Sequence, residues 1–577
     1  MMNFFKKNWI LLIILVIAFI LRVVGIFYAY PLMVVGDEIP NLFASLKMLG
    51  TFSFHPASPN YYYPAVISYI YLPFLALFII GGKLVGFFGS FDSIKEIVFL
   101  SPGVFIPLVR LVSVLFGVLS VYLVYLITYK LFNKKAGLLA GWFLAISYFH
   151  SVNSHFAQTW TIQTFFILLA LYFAVSVYLK EKNNWRDYLL GGFLIGLSFG
   201  VNFVGIVTYF WFFLVHILKN QGQGFVRIFL KNKNFWLLNL SLFLMVLIVY
   251  YLNPYGLNNY FARIIDTQTP AVAGGGGYSS YKPLSYAALQ ILFFYVTNTF
   301  IQEPFLASVA ILGSIYLFLK KRHYFYFLVL WPILYYLMIS PLTGAMGRYI
   351  LPALPLLVII SGWFLSVLFE GNKVRKNILW ILIFLASLYS IILIVVSDIR
   401  MLKQDTRVLA REWILNNVSS GAKIKNEDLG ESLMLVENKS TVELIRQKYP
   451  GLFSTKRKYL LNLPNEEYPK PNYFLSTKSD MVDEQEDYFD YFILGSFNKE
   501  EVTKQALNLP VSAFLVKQIY PISLSLNTKS QNKFLSREEI DLTTDNSQFK
   551  SWWLFKKVDY NGPYIEIYKL NNDTTEK

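Results

Sequence analysis

Cysteine is absent from the 577 residues, and acidic residues are scarce in the first two-thirds of the chain. Without cysteine there can be no disulfide, no thiolate metal site and no cysteine nucleophile. Residues 1–397 carry 9 acidic and 26 basic side chains, whereas residues 398–577 carry 26 acidic and 25 basic. The net charge of +16 therefore arises in the first part, where the positive-inside rule of membrane proteins explains it better than a nucleic-acid partner.

Long apolar runs make up most of the first 400 residues. Hydrophobic residues make up 55% of the chain and aromatic residues 18%, and the mean hydropathy is +0.47, which indicates a polytopic membrane protein. The first run, Trp9 to Tyr30, follows Lys6-Lys7 and predicts a signal anchor with a cytoplasmic N-terminus. Apolar stretches of spanning or near-spanning length occur at about 9–30, 64–88, 104–130, 137–152, 161–179, 189–218, 235–252, 303–319, 324–340, 349–369 and 377–397.

Basic side chains between these runs set the predicted topology. Eighteen of the 26 fall in six groups, at 6–7, 130–135, 180–186, 219–233, 320–322 and 373–376. All six face the cytoplasm only if 64–88 lies at the membrane interface and 189–218 is a helical hairpin that turns near Gly200 to Gly205. This solution predicts eleven crossings in the plasma membrane. The alternative is that 64–88 crosses and one basic group faces outward.

After residue 397 the composition changes to mixed charge. DTRVLAREWILNNV has helical spacing, and YFDYFILGSF and GPYIEIYKL have the composition of strands. The sequence thus predicts an all-α polytopic membrane domain, residues 1–397, and a soluble α/β domain, residues 398–577, on the extracytoplasmic side. No motif in the soluble part indicates catalysis of its own. The glycine run Ala273 to Tyr278 lies in a long outer loop and suggests a hinge or lid.

Two adjacent acids, Asp37 and Glu38, follow the first apolar run directly. Helix capping by Asp37, with Pro40 in the first turn, would explain one of them. A second acid beside the membrane, in a region with so few, favours a functional site instead.

The surrounding segments resemble a known family. VVGDEIPNLFASL, then FHPASPNYYYPAVISYIYLPF, is similar to the first outer loop of GT-C glycosyltransferases, in particular protein O-mannosyltransferases and lipid A aminoarabinose transferases. PLVRLVSVLFGVLSVYLVYLITYKLFNKKAGLLAGWFLAIS resembles the second and third spans of that family, and GRYILPALPLL resembles its late Arg-Tyr-x-x-Pro-x-x-Pro segment. The resemblance covers roughly residues 1–400.

This resemblance implies a GT-C-type fold of about eleven spans with juxtamembrane helices. It also implies inverting transfer of a sugar, with mannose as one candidate, from a polyprenyl-phosphate carrier to an acceptor hydroxyl at the outer face. The resemblance leaves three acceptor classes open, a lipid, a glycan or a protein, and it implies membrane lipids as further partners. By carry-over Asp37 is the base, and Glu38 is its orienting partner or a ligand of a divalent cation. Arg348, beside Tyr349, is the candidate for the carrier phosphate, with interface snorkelling as the alternative.

Weaker candidates complete the predicted site. Where relatives carry an arginine and an aspartate after the third span, this chain has SHFAQTWTIQTFF, so that His155 and Gln158 would contact sugar or phosphate without a second acid. Asn202 stands where relatives often have a lysine. The remaining predicted substrate-binding residues are His55, Tyr63, Arg263 and Lys282, with an aromatic belt as the alternative role of the tyrosine.

A transporter or flippase is the competing function class. Transporters usually place polar groups mid-span and often have repeated halves. Here the ionisable residues cluster at the outer ends and the two halves differ, so the sequence favours the transferase.

Overall fold

The computed structural model describes residues 2–56, 61, 63–182, 184–258, 283–342, 346–426, 428–476, 489–522, 554–555 and 557–571. The chain is mostly helical, with one small sheet near the C-terminus, as the sequence predicts. Arg263, Lys282 and the glycine run at 273–278 lie outside the described residues.

The first part of the chain forms a helical bundle. Its α-helices are α1 (Met2–Val23), α2 (Glu38–Thr51), α3 (Val66–Leu84), α4 (Phe91–Leu100), α5 (Ile106–Leu131), α6 (Lys134–Ala145), α7 (Tyr148–Ser154), α8 (Thr159–Leu179), α9 (Trp185–Val201), α10 (Tyr209–Lys219), α11 (Lys233–Leu252), α12 (Tyr286–Gln302), α13 (Pro304–Lys320), α14 (Arg322–Leu328), α15 (Leu330–Ile339), α16 (Leu354–Leu368) and α17 (Lys373–Met401).

Asparagine and serine side chains mark where many of these helices begin. Each accepts a hydrogen bond from a backbone N–H of the first turn, which would otherwise lack a partner. Asn184 and Asp187 form a full capping box at the start of α9. Side-chain caps of this kind in the bundle are provided by Ser90, Asn133, Ser147, Asn184, Asn232, Ser285 and Asn372.

The protein is an integral membrane protein. Five of the described helices are long and apolar enough to cross a bilayer, and a sixth crossing is possible if the bent pair α12 and α13 counts as one. The five spans are Val66–Leu84, Pro102–Leu131, Thr159–Leu179, Lys233–Leu252 and Lys373–Met401. Helix α3 meets the criterion for a span although the sequence places it at the interface. The eleven-span topology therefore stays a prediction.

The predicted reversal inside the apolar run 189–218 is confirmed. The backbone is extended at Asn202, between α9 and a short 3-10 segment that leads into α10. Across the hairpin, His216 Nδ1 lies 3.2 Å from the Tyr188 hydroxyl. A Cβ atom on Gly205 would come within 2.3 Å of the carbonyl of Ser198, so only glycine allows this close return.

The C-terminal part is an α/β unit. Its elements are α18 (Thr406–Asn417), β1 (Lys423–Lys425), α19 (Lys439–Lys448), α20 (Thr455–Asn462), β2 (Phe474–Ser476), β3 (Tyr491–Ser496), α21 (Lys499–Leu507), β4 (Ala513–Ile519) and β5 (Tyr564–Leu570). The strands form a five-stranded sheet of order β2-β1-β3-β5-β4. Strands β2, β1 and β3 are parallel, and β5 pairs antiparallel with both β3 and β4. The central strands β3 and β5 are buried along most of their length.

The sheet unit sits against one end of the helical bundle. The Tyr28 hydroxyl, just after α1, donates a 3.1 Å hydrogen bond to Asp405 Oδ2. Phe99 of α4 stacks on Tyr459 of α20 with ring centroids 4.7 Å apart. Tyr28, just after α1, and α4 therefore both lie against the C-terminal unit.

Candidate active site

Asp37 stands at the start of α2 but does not cap it. Its side chain makes no hydrogen bond to the first-turn backbone. Instead, Oδ2 forms a 2.7 Å ion pair with Arg348 Nη2, and Oδ1 accepts a 3.0 Å hydrogen bond from the Tyr63 hydroxyl. The Asp37 side chain is 32% exposed, so both partners leave it open to a ligand. The capping interpretation is thus wrong for the side chain.

Arg348 reaches Asp37 from a distant part of the chain. It lies in a 3-10 turn, Gly347–Ile350, just before α16, and its side chain is 12% exposed. Its Nη2 also lies 2.9 Å from the sulfur of Met346. The structure therefore brings together two residues that the sequence predicts on opposite sides of one reaction centre.

Tyr63 is held in place by its neighbours. Asn253, at the end of α11, donates to the carbonyl oxygens of Tyr61 and Tyr63 at 3.0 and 2.8 Å. The Tyr61 hydroxyl donates to Asn41 Oδ1 at 2.9 Å and lies 2.7 Å from Ser68 Oγ. Burial raises the pKa of Tyr61, so it stays protonated and keeps this donor role. The network fixes the segment that delivers Tyr63 to Asp37.

Glu38 has a different environment from its neighbour. It is fully buried, and its two carboxylate oxygens accept from Nε and Nη2 of Arg110, each at 2.8 Å. Oε1 also accepts from the backbone N–H of Ala157 at 2.7 Å. Arg110 Nη1 in turn donates to the carbonyls of Ile26 and Tyr28. Glu38 and Arg110 thus tie the first loop to α5 and to the start of α8.

Sequence reasoning did not single out Arg110. The available signal was an arginine inside the apolar run 104–130, because a charge within a span normally faces the interior and has a partner.

The predicted divalent cation can be tested against these oxygens. Both oxygens of Glu38 already accept from protein donors, so a cation at this point would depend on Asp37. Among the described residues, no group of three or more histidine, aspartate or glutamate side chains is arranged to hold a metal ion.

His155 contacts Asp398, whereas the sequence predicted a contact with sugar or phosphate. It is fully buried, its Nδ1 is 3.2 Å from the carbonyl of Val152, and its Nε2 is 3.1 Å from Asp398 Oδ1. The last distance is that of an ion pair, although the angle falls outside hydrogen-bond geometry. Both ring nitrogens therefore face protein groups near α17 and not the Asp37 carboxylate.

The other predicted residues fall into two groups. Tyr349 is buried with its ring 4.6 Å from that of Trp160, near the start of α8, where Gln158 is 6% exposed. Tyr349 therefore packs on the start of α8 beside Arg348. His55, by contrast, packs edge-to-face on Tyr251 at 4.9 Å and does not contact Asp37.

The chain is similar in sequence and in fold to known proteins. Residues 102–251 match the sequence model of the dolichyl-phosphate-mannose-protein mannosyltransferases. The crystal structure of ArnT from Cupriavidus metallidurans bound to undecaprenyl phosphate is 11% identical, covering 89% of this chain and 96% of that one, with a TM-score of 0.51. The archaeal oligosaccharyltransferase AglB from Archaeoglobus fulgidus, in complex with an inhibitory peptide and a dolichol-phosphate, is 15% identical over 85% of this chain and 69% of that one, with a TM-score of 0.45.

No curated protein sequence matches the chain. The match to ArnT extends over nearly the whole chain, and the family model matches the segment that contains Arg110 and α8. The chain therefore has a fold of the GT-C type, which it shares with the ArnT structure.

Proposed function

We propose that this protein is a membrane glycosyltransferase that moves a sugar from a polyprenyl-phosphate carrier to an acceptor hydroxyl. One observation carries the proposal: Asp37, Tyr63 and Arg348 converge from three separate segments on one partly exposed point. Sugar transfer from a phosphate carrier needs a proton acceptor for the attacking hydroxyl and a cation for the departing phosphate. A carboxylate beside a guanidinium supplies both.

The proposed reaction is a single displacement with inversion at the anomeric carbon. The acceptor oxygen forms the new bond to that carbon while its proton passes to Asp37. The bond from the anomeric carbon to the carrier phosphate oxygen breaks, and its electron pair stays on the phosphate. Arg348 neutralises the charge that develops there, because a guanidinium can bind two phosphate oxygens at once.

Because Arg348 is paired with Asp37, binding of the donor phosphate to Arg348 would also free Asp37. A carrier phosphate would compete with Asp37 for the same guanidinium. When Arg348 turns to the phosphate, Asp37 Oδ2 loses its 2.7 Å partner and becomes available to the acceptor hydroxyl. Tyr63 continues to hold Oδ1 and keeps the carboxylate oriented. Donor binding would therefore precede activation of the acceptor.

Glu38 and Arg110 act as a positioning pair in this proposal. Their bidentate contact, and the N–H of Ala157 on Glu38, fix the backbone on which Asp37 stands. Because this pair is fully buried, it orients the site without contact to the reacting atoms.

Two comparisons support the choice of carrier and sugar. The ArnT structure with the same fold holds undecaprenyl phosphate, and the matching family model is that of enzymes that use dolichyl-phosphate-mannose. Mannose is thus the first sugar to test, with a protein, a lipid or a glycan as acceptor. We place the site at the extracytoplasmic face of the plasma membrane, with a cytoplasmic N-terminus, because of the distribution of basic groups.

The test compares cells that lack the gene with cells that produce the wild type or the Asp37→Asn variant. Mass spectrometry of surface glycans, surface proteins and lipid-linked sugars would be used. We expect the deletion and Asp37→Asn strains to lose the same glycosylated product and to accumulate the same carrier-linked sugar. Identical profiles in all three strains would refute the proposal.

A further inference from the structure

Helix α12 carries polar side chains on the face that it buries. Tyr295, Asn298, Thr299 and Gln302 recur at intervals of three and four residues, so they share one side of the helix, and each is at most 5% exposed. Its outer side is apolar and exposed, as at Phe293 (69% exposed). Polar groups turned into a membrane bundle either hydrogen-bond to neighbouring helices or line a functional interior.

Two of these groups are incompletely satisfied. Gln302 Nε2 donates to Asn298 Oδ1 over a long 3.3 Å, and Thr299 Oγ1 lies 3.1 Å from the Tyr336 hydroxyl. Within the described part of the chain, Asn298 Nδ2 and Gln302 Oε1 have no hydrogen-bond partner. A buried polar group without a partner lowers the stability of the fold. A donor and an acceptor, one helical turn apart, are therefore available to a ligand.

The position of this face connects it with the candidate active site. Helix α12 packs on the 3-10 turn that contains Arg348, and the rings of Tyr295 and Tyr349 are 6.4 Å apart. Tyr349 directly follows the arginine that contacts Asp37. The buried polar face thus borders the point where the anomeric carbon would lie.

The far end of the face is held by Glu303. The chain bends by 114° between α12 and α13 at this residue. Its carboxylate accepts from Ser147 Oγ at 2.6 Å and from the N–H of Phe149 at 3.3 Å, at the start of α7. Glu303 is therefore engaged in structure, whereas Asn298 and Gln302 keep free hydrogen-bonding capacity.

We propose that Asn298 and Gln302 bind the hydroxyl groups of the donor sugar and so help determine which sugar the protein accepts. This inference rests on the proposed function. A sugar hydroxyl both donates and accepts, so one ring can receive from Asn298 Nδ2 and donate to Gln302 Oε1. The long bond between the two amides exchanges readily for such contacts. A site that hydrogen-bonds a hydroxyl discriminates strongly against a sugar that lacks it in that position.

The experiment measures binding of defined carriers to purified protein in nanodiscs. The probes are undecaprenyl phosphate without sugar and the same carrier bearing mannose, glucose or galactose. The test variant, Asn298→Leu with Gln302→Met, preserves side-chain shape but removes both amides. The control, Thr297→Val, lies on the exposed side of the same helix, where its hydroxyl contacts only the carbonyls of Phe293 and Phe294.

We expect the wild type and the control to bind one sugar-bearing carrier more tightly than the bare carrier. The double variant should bind the bare carrier within about twofold of wild type, yet bind the preferred sugar-bearing carrier about tenfold more weakly, as expected for two lost hydrogen bonds. A wild type that binds all carriers equally, or a double variant with an unchanged ranking, overturns the sugar subsite.

Failure of the proposed function has a different signature. In that case the wild type binds neither the bare carrier nor any sugar-bearing carrier. Binding of the bare carrier that survives in every variant, without any sugar preference, refutes only the subsite.

Discussion

Arg348 and Asp37 form an ion pair with 2.7 Å between Nη2 and Oδ2, although one precedes α16 and the other starts α2. The guanidinium is nearly buried and the carboxylate is partly open. This pairing is the structural basis of the proposed order of events, in which a carrier phosphate takes Arg348 and releases Asp37.

Substitutions of Arg348 should distinguish phosphate binding from membrane anchoring. We expect Arg348→Ala to lose donor affinity and turnover, and Arg348→Lys to keep part of both, because an ammonium replaces the planar fork only incompletely. Binding of undecaprenyl phosphate and the transfer rate are the measurements. A snorkelling arginine would tolerate Gln, so normal donor affinity and turnover in Arg348→Gln would exclude the phosphate role.

Asp37→Asn should abolish transfer while leaving the protein level intact. The variant should bind the carrier at least as tightly as the wild type, because the carrier phosphate no longer competes with a carboxylate for Arg348. General-base contributions are on the order of 100- to 10,000-fold in rate, so a loss of that size in turnover is expected. A loss of less than about tenfold would remove Asp37 from the catalytic role.

Tyr63→Phe should have a smaller effect than Asp37→Asn. The change removes the 3.0 Å donor to Asp37 Oδ1 but keeps the ring and the carboxylate. We expect turnover to fall by about three- to thirtyfold, since one hydrogen bond to a charged group is worth about 1.5–3 kcal/mol and only part of it is specific to the transition state. Tyr286→Phe, at an exposed position on α12, is the matched control. Equal rates for both variants would contradict the orienting role.

Glu38→Gln should lower thermal stability, which Asp37→Asn should not. Glu38 and Arg110 form a fully buried ion pair. Removing the charge of one residue leaves the charge of the other buried without a partner, which lowers the free energy of unfolding by about 3–5 kcal/mol. Arg110→Met should therefore lower the Tm further than Glu38→Gln, which retains one acceptor oxygen. The Tm of the purified variants measures this effect. Unchanged Tm with lost activity in Glu38→Gln would indicate a chemical role instead of a positioning one.

Membrane topology can be tested with single cysteines, since the chain has none of its own. We expect Glu96→Cys and Glu500→Cys to react with an impermeant reagent added outside, and Lys134→Cys to react only after the membrane is opened. All three native side chains are exposed, so access is not limited by packing. Labelling of the Lys134 position from outside would overturn the interfacial assignment of the 64–88 segment.

The amino-acid sequence alone was enough to predict a membrane protein and several of its local features. Hydropathy requires a membrane domain, because so many apolar side chains could not be solvated otherwise. The placement of the basic groups predicted a chain reversal near Gly200 to Gly205, and composition predicted strands in the C-terminal part. Asp37 was a candidate because acids are scarce in residues 1–397, and Arg348 because it is the only cation in its predicted outer turn.

Which charged side chains contact each other could be read only from the folded structure. Two adjacent acids have different surroundings. Asp37 pairs with Arg348 and stays partly exposed, whereas Glu38 pairs with Arg110 and is fully buried. Likewise His155, similar in pattern to a site residue, turns to Asp398. Such pairings depend on how helices rotate and pack against each other. Apolar periodicity specifies that a helix is buried, but contacts between distant segments fix which partner each polar side chain finds.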